Sequence, residues 1–172
     1  MKWILWTFVV LAGALVLITV IGWLLPKEHT VTREARFHQP PEAIWKTITD
    51  IDTMPAWRRG LKSVKHLPDQ NGLPAWVETL DSGVIPLETL SSQPPSRLVT
   101  RIADPKLPFG GTWTYEIAPA AGGSVLRITE NGEVYNPIFR FLSRFVFGQS
   151  ATIETYLKSM AKKFGEQPQA GD

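Results

Sequence analysis

Thr112-Trp113-Thr114-Tyr115-Glu116-Ile117, then Ala121-Gly122-Gly123-Ser124, then Val125-Leu126-Arg127-Ile128-Thr129-Glu130: this stretch decides the fold. Trp113, Tyr115 and Ile117 are large and apolar at every second position, and Leu126 and Ile128 repeat the alternation in the second segment. Side chains alternate across a strand, so a period of two means a sheet with one buried and one wetter face. Gly122 and Gly123 can adopt the positive φ of a tight turn. Asn136-Pro137 ends the pattern, because proline fixes φ and lacks an N–H. Beyond it the period changes: Ile153, Tyr156, Leu157, Met160 and Phe164 fall on one face of a helix. The spacing predicts a hairpin followed by a long helix whose apolar face lies on the sheet.

Upstream, Glu28 to His38 reads as a first strand, stopped by Gln39-Pro40-Pro41. Pro41 suits the first turn of a helix and Glu42 complements its dipole. Ile44, Trp45 and Ile48 continue with helical spacing, and a short second helix is expected from Pro55 to Leu61. Strand-like runs follow at Leu61–Leu67, Ala75–Leu80, Val84–Leu90 and Arg97–Ala103, separated by Pro68-Asp69-Gln70-Asn71-Gly72, Asp81-Ser82-Gly83 and Gln93-Pro94-Pro95-Ser96. Strands at this spacing make an antiparallel meander. Residues 167–172 are expected to form a disordered polar tail.

Trp3 to Leu25 carries no charged side chain. At about 1.5 Å per residue, a helix of that length reaches roughly 34 Å, enough for a hydrocarbon layer of about 30 Å. Trp3, Trp6 and Trp23 lie near its ends, where indole rings favour the membrane interface. The rival is a cleaved signal peptide. Ala12-Gly13-Ala14 resembles a cleavage site, but cutting there would leave Leu15 to Leu25 apolar and exposed, and Pro26 follows directly. Residues 1–27 are therefore read as an uncleaved, single-pass transmembrane anchor, the bacterial inner membrane being the expected one. Lys27, Arg33, Arg36 and Lys46 favour a cytoplasmic domain. A short amino tail with Lys2 is common in anchors that export the domain behind them, so the side stays open.

The order is strand, two helices, a run of strands and a long helix. Pro40-Pro41-Glu42-Ala43-Ile44-Trp45 leading to Asp50, Pro55-Ala56-Trp57, Pro94-Pro95-Ser96-Arg97-Leu98-Val99, Gly111-Thr112-Trp113-Thr114-Tyr115, Thr129-Glu130-Asn131-Gly132 and Tyr156-Leu157 occur in that order. In their order and spacing these residues resemble the START / polyketide-cyclase (SRPBCC) superfamily over about residues 28–166. The resemblance implies an α+β helix-grip fold: a curved, seven-stranded antiparallel sheet wrapped on the C-terminal helix, with a hydrophobic cavity between them. The anchor lies outside it.

Several chemistries are excluded or unsupported. The chain has no cysteine, which removes disulfides, thiolate metal sites and a cysteine nucleophile. The net charge is only +2 and the basic residues are scattered, so nucleic acid is not an expected partner. His29, His38 and His66 are far apart and form no ligand pair, so no metal is expected. GxSxG, P-loop and GxGxxG motifs are missing, so no cofactor is expected either.

Trp45, Trp57, Trp76, Trp113 and Tyr115 read as core packing or as the wall of a cavity, which in a helix grip is a core left partly unfilled. Glu78, Glu88, Arg101 and Glu130 sit inside strand patterns; Arg101 shares a face with Val99, and Glu130 with Leu126 and Ile128. Such charges are solvated, structurally paired, or turned into a cavity where they orient a ligand. No universal catalytic set defines the superfamily, so no catalytic residue is assigned. Ile138–Phe147 holds four phenylalanines and two arginines. Phe141 and Phe145 belong to a stripe facing a core and join the cavity candidates. Phe139, Val146 and Phe147 spill onto other faces, which suits a lid, a second membrane contact or a wide core face. The expected function is membrane-tethered binding or transport of a hydrophobic small molecule, a lipid or lipid-like compound. A cyclase/dehydratase-like enzyme and a protein-interaction module with a filled core are the alternatives.

Overall fold

The computed structural model describes residues 2–167 and 169–170. Helix α1 (Lys2–Leu24) is apolar on all sides and exposed along nearly its whole length, with Gly22 buried. It is long and apolar enough to cross a membrane. Strand β1 (Glu28–Phe37) follows, then α2 (Pro41–Thr49), a 3-10 turn (Ile51–Thr53) and the short α3 (Met54–Trp57). Pro41 opens α2 with Glu42 in the first turn, as the sequence predicts. Then come β2 (Leu61–Gln70), β3 (Leu73–Leu80), β4 (Gly83–Gln93), β5 (Arg97–Ile102), β6 (Phe109–Ala120) and β7 (Gly123–Val134).

The sheet order is β2-β3-β4-β5-β6-β7-β1, every pair antiparallel. The meander brings β7 back beside β1, so the N-terminal strand completes the sheet on its far side. The deciding hairpin is β6–β7, paired from Phe109↔Val134 to Ala120↔Gly123. This is the curved sheet of a helix grip.

The long C-terminal helix is interrupted. It is built as α4 (Pro137–Leu142), a π-helical turn (Ser143–Phe147), a break, and α5 (Ala151–Lys163). Asn136 caps α4, its Oδ1 accepting from the Ile138 and Phe139 N–H groups. Gly148, at φ 77°, turns the chain out of helical geometry, a conformation that glycine adopts without steric cost. The apolar face of α5 meets the sheet: Ile153, Tyr156, Leu157, Met160 and Ala161 are buried with Ala35, Phe37, Leu98, Tyr115, Ile117, Leu126 and Ile128. Ile44 and Ile48 of α2 close the same core. A second cluster, Ile51, Met54, Leu61 and Trp76, fills the end beneath α3, and Trp57 packs against both.

The expected tail is corrected in part. Gln169–Ala170 forms a two-residue strand, β8, paired with Arg36 and Ala35 on the free edge of β1. Glu166 precedes it and accepts from the His38 N–H and the Gln39 side chain, which ties that end down. Pro168, Gly171 and Asp172 lie outside the described residues.

Candidate functional site

The inner face of the sheet is read off its register. One row across it is Val31, Glu130, Trp113, Thr100 and Thr89; the next is Arg33, Ile128, Tyr115 and Leu98. Tyr156 of α5 descends onto these rows. Its ring lies 5.3 Å from Trp57, 5.9 Å from Trp113 and 5.8 Å from Tyr115, and Trp113 and Tyr115 are 6.0 Å apart. Edge-on and tilted contacts of this kind place the positive rim of one ring on the negative face of another. The result is an aromatic box between helix and sheet.

A buried ion pair forms one side of the box. Arg58, just past α3, donates from Nη1 to Glu78 Oε1 at 2.6 Å, and the Trp76 indole donates to the same oxygen at 3.3 Å. The Arg58 guanidinium also stands 5.2 Å from the centre of the Tyr156 ring. Burial works against its charge, but Glu78 and the neighbouring tyrosines hold its pKa above the ordinary value. Burial pushes both Tyr115 and Tyr156 well above the usual phenol range, so neither is a base at neutral pH. A charge pair removed from water survives only when its partners satisfy it, and here Trp76 supplies a further donor.

Glu130 lies beside Trp113, its cross-strand partner. Burial pushes its carboxyl up to about 7, with a hydrogen bond from Trp113 acting the other way. Its Oε1 is 3.7 Å from His29 Nε2. Burial lowers the His29 pKa, so at pH 7 a neutral imidazole faces a carboxyl that is about half protonated. Glu130 Oε2 has no hydrogen-bond partner, and the Trp57 Nε1 and Tyr156 hydroxyl are also buried without one. These three atoms are linked through Trp113: its ring contacts Tyr156, Tyr156 contacts Trp57, and Glu130 is its cross-strand partner.

The structure thus gathers Trp57, Trp76, Glu78, Trp113, Tyr115 and Glu130 in the grip. Trp45 packs on the main core from α2. Four expected cavity residues are elsewhere. Glu88 and Arg101 are cross-strand partners on the opposite face from Trp76 and Leu87, and Arg101 Nε donates to Glu88 Oε1 at 2.8 Å on the outer surface. Alternation misleads there because Leu98, Val99 and Thr100 are all buried, which erases the period of two in β5. Phe141 and Phe145 stack at 5.0 Å on α4 and the π turn and belong to neither core cluster. Arg58 and His29 are site residues that sequence reasoning missed. Arg58 looks like its exposed neighbour Arg59, and no local pattern separates the two.

A sequence profile described as polyketide cyclase / dehydrase and lipid transport matches residues 28–165. The chain belongs to that family. Solved structures share its fold. A START superfamily protein from Mycobacterium smegmatis is 18% identical, with a TM-score of 0.62 over 79% of this chain and 95% of its own. A Rhodobacter sphaeroides protein is 21% identical, with a TM-score of 0.58 over 79% and 91%. The di-domain ARO/CYC protein StfQ, from the steffimycin biosynthetic pathway, is 14% identical with a TM-score of 0.63. It is matched over 80% of this chain and 52% of its own. No curated protein matches the chain. The aromatic box lies between the C-terminal helix and the sheet.

Proposed function

We propose that this family member is a membrane-tethered binding or transport domain for a hydrophobic small molecule, with the aromatic box as its binding site. Among the described residues four buried side-chain polar atoms lack a hydrogen-bond partner, and the observation that carries the reading is that three of them, Trp57 Nε1, Tyr156 Oη and Glu130 Oε2, belong to the aromatic box and its flank, the fourth being Arg140 Nε at the end of α1. Leaving one such group unpaired costs about 1–3 kcal/mol. Three of them around one aromatic box suit a ligand with an apolar body, held by the rings, and a polar head that accepts from the indole and hydroxyl and meets the half-protonated carboxyl. The family's lipid-transport members make a lipid or lipid-like compound the natural class.

The tether is supported by how α1 meets the domain. Arg140 is buried and donates to the carbonyl oxygens of Leu25 at 2.9 Å and Trp23 at 3.5 Å, the open C-terminal end of α1. This guanidinium ties the end of α1 to the domain. A retained anchor keeps the grip within reach of bilayer-soluble ligands.

Glu130 favours a second reading, a cyclase/dehydratase-like enzyme. A carboxyl near 7 with a free oxygen can give or take a proton at neutral pH when it faces a carbonyl or hydroxyl. Binding comes first in either case. The test is photo-crosslinking of the full chain in native membranes, with a photoreactive side chain at Trp113 inside the grip or at Glu88 outside. A small apolar adduct at the inner position alone is the expected result. Equal labelling at both positions, or none at Trp113, would refute the site.

A further inference from the structure

Ile138–Phe147 has no part in the proposed binding site, yet it is fixed in place. Helix α4 lies along the last two turns of α1, where Ile18, Thr19 and Ile21 are half-buried and Gly22 is buried in an otherwise exposed helix. The approach needs Gly22: a Cβ there would stand 1.9 Å from the Pro137 carbonyl oxygen. Arg140 completes the joint, Nη1 reaching Leu25 O at 2.9 Å and Nη2 reaching Tyr135 O at 3.1 Å. A cation on the last carbonyls of a helix satisfies unpaired acceptors and opposes the negative end of the dipole.

This joint sets a depth. The 23 residues of α1 span about 34 Å against a hydrocarbon layer of about 30 Å, so its last two turns reach the boundary between acyl chains and headgroups. At that level Trp23 is 71% exposed, and the docked segment adds Phe139 at 48%, Phe145 at 60%, Val146 at 61% and Phe147 at 64%. Arg144 and Lys27 are exposed among them, with Glu28 the nearby exposed acid. Clustered aromatics interleaved with basic residues belong at a membrane interface and are out of place on a water-facing surface.

We infer that Phe139–Phe147 is a second membrane contact, seated in the interfacial layer of the bilayer that α1 spans. The inference rests on the anchor reading and adds to it that the domain is held at two points and does not swing on a flexible stalk. It also orients the grip. A crevice of about 20 Å³ lies at this joint, lined by Leu25, Lys27, His29, Arg140, Ser143 and Gln149, and His29 there is 3.7 Å from Glu130, so the Glu130 end of the site is the one toward the membrane. A lid over the box is the weaker use of the segment, since Phe139 and Phe145–Phe147 touch neither core cluster.

The chain has no cysteine, so one can be introduced cleanly. The full chain is reconstituted in phosphatidylcholine/phosphatidylglycerol vesicles with an environment-sensitive dye on Phe147→Cys, on Leu11→Cys in mid-anchor, or on Asn71→Cys at the β2–β3 turn. Each is quenched in turn by spin-labelled lipid and by aqueous iodide. The expected result is lipid quenching at position 147 several-fold above position 71, with protection from iodide. A position-147 dye as open to iodide as that at 71 overturns the inference, and so does protection from both quenchers, which means protein covers the patch. If the dye at 11 escapes lipid quenching, the anchor reading fails and takes the inference with it. If 11 is quenched and 147 is not, the second contact alone is wrong.

Discussion

Replacing Glu130 by glutamine should stabilise the domain at alkaline pH and leave it nearly unchanged in mild acid. Burial raises the Glu130 carboxyl from 4.5 to about 7 in the folded chain. The folded state therefore holds this proton more tightly than the unfolded state. The stability contributed by the protonated form is fully present below pH 4.5. It declines as pH rises through 7, and above about pH 8 the fold carries the whole penalty of a buried carboxylate. At about 1.4 kcal/mol per tenfold change in proton affinity, that penalty is about 3 kcal/mol. The side chain is 20% exposed, so water screens part of it and about 2 kcal/mol is the expected figure. Glutamine has the same shape and never ionises. Urea unfolding of the full chain in detergent, at pH 5 and pH 8, reads the difference directly. His29 is present in both proteins and its own titration largely cancels. The variant should match the parent within about 1 kcal/mol at pH 5 and exceed it by about 2 kcal/mol at pH 8, near 4–8 °C in Tm. Parallel stability curves, or an equal loss at both pH values, would refute the buried, proton-holding carboxyl.

Three further outcomes are expected from the packing. Arg58→Met leaves Glu78 charged and buried and should cost about 3–5 kcal/mol, whereas adding Glu78→Met should recover much of that loss; urea unfolding of both variants measures it. Arg101→Ala breaks an outer-face pair whose arginine is half exposed, so stability should move by less than about 1 kcal/mol in the same assay and crosslinking at Trp113 should not change. Gly22→Leu drives a side chain into Pro137 and should release α4 from α1. Hydrogen exchange across 137–147 should rise several-fold, while the Tm of the sheet domain stays within a few degrees.

The fold was legible because its decisive hairpin is regular. Trp113, Tyr115 and Ile117 face Glu130, Ile128 and Leu126 in register, so a period of two identified both the buried face and the carboxylate on it. The same rule failed at β5, where three consecutive buried residues hide which face Arg101 occupies. The box was only half readable: its rings stand out in composition, but pairing Arg58 with Glu78 depends on how α3 lies over β3, which no local pattern encodes. Of the joint between anchor and domain, only the arginines among phenylalanines stood out in the sequence. Only the tertiary structure brings Gly22 to Pro137 and Arg140 to Leu25. The break at Gly148 was masked by the continuous apolar stripe expected on either side of it.

The central claim is that the grip holds an apolar ligand. Native mass spectrometry of the full chain, released from membranes in mild detergent and followed by lipid extraction, tests it most directly. The account predicts one apolar compound at near-stoichiometric amount, diminished in Trp57→Phe and Tyr156→Phe and retained in Arg101→Ala. A bare mass in every case, with no uptake when membrane extract is added back, would contradict it.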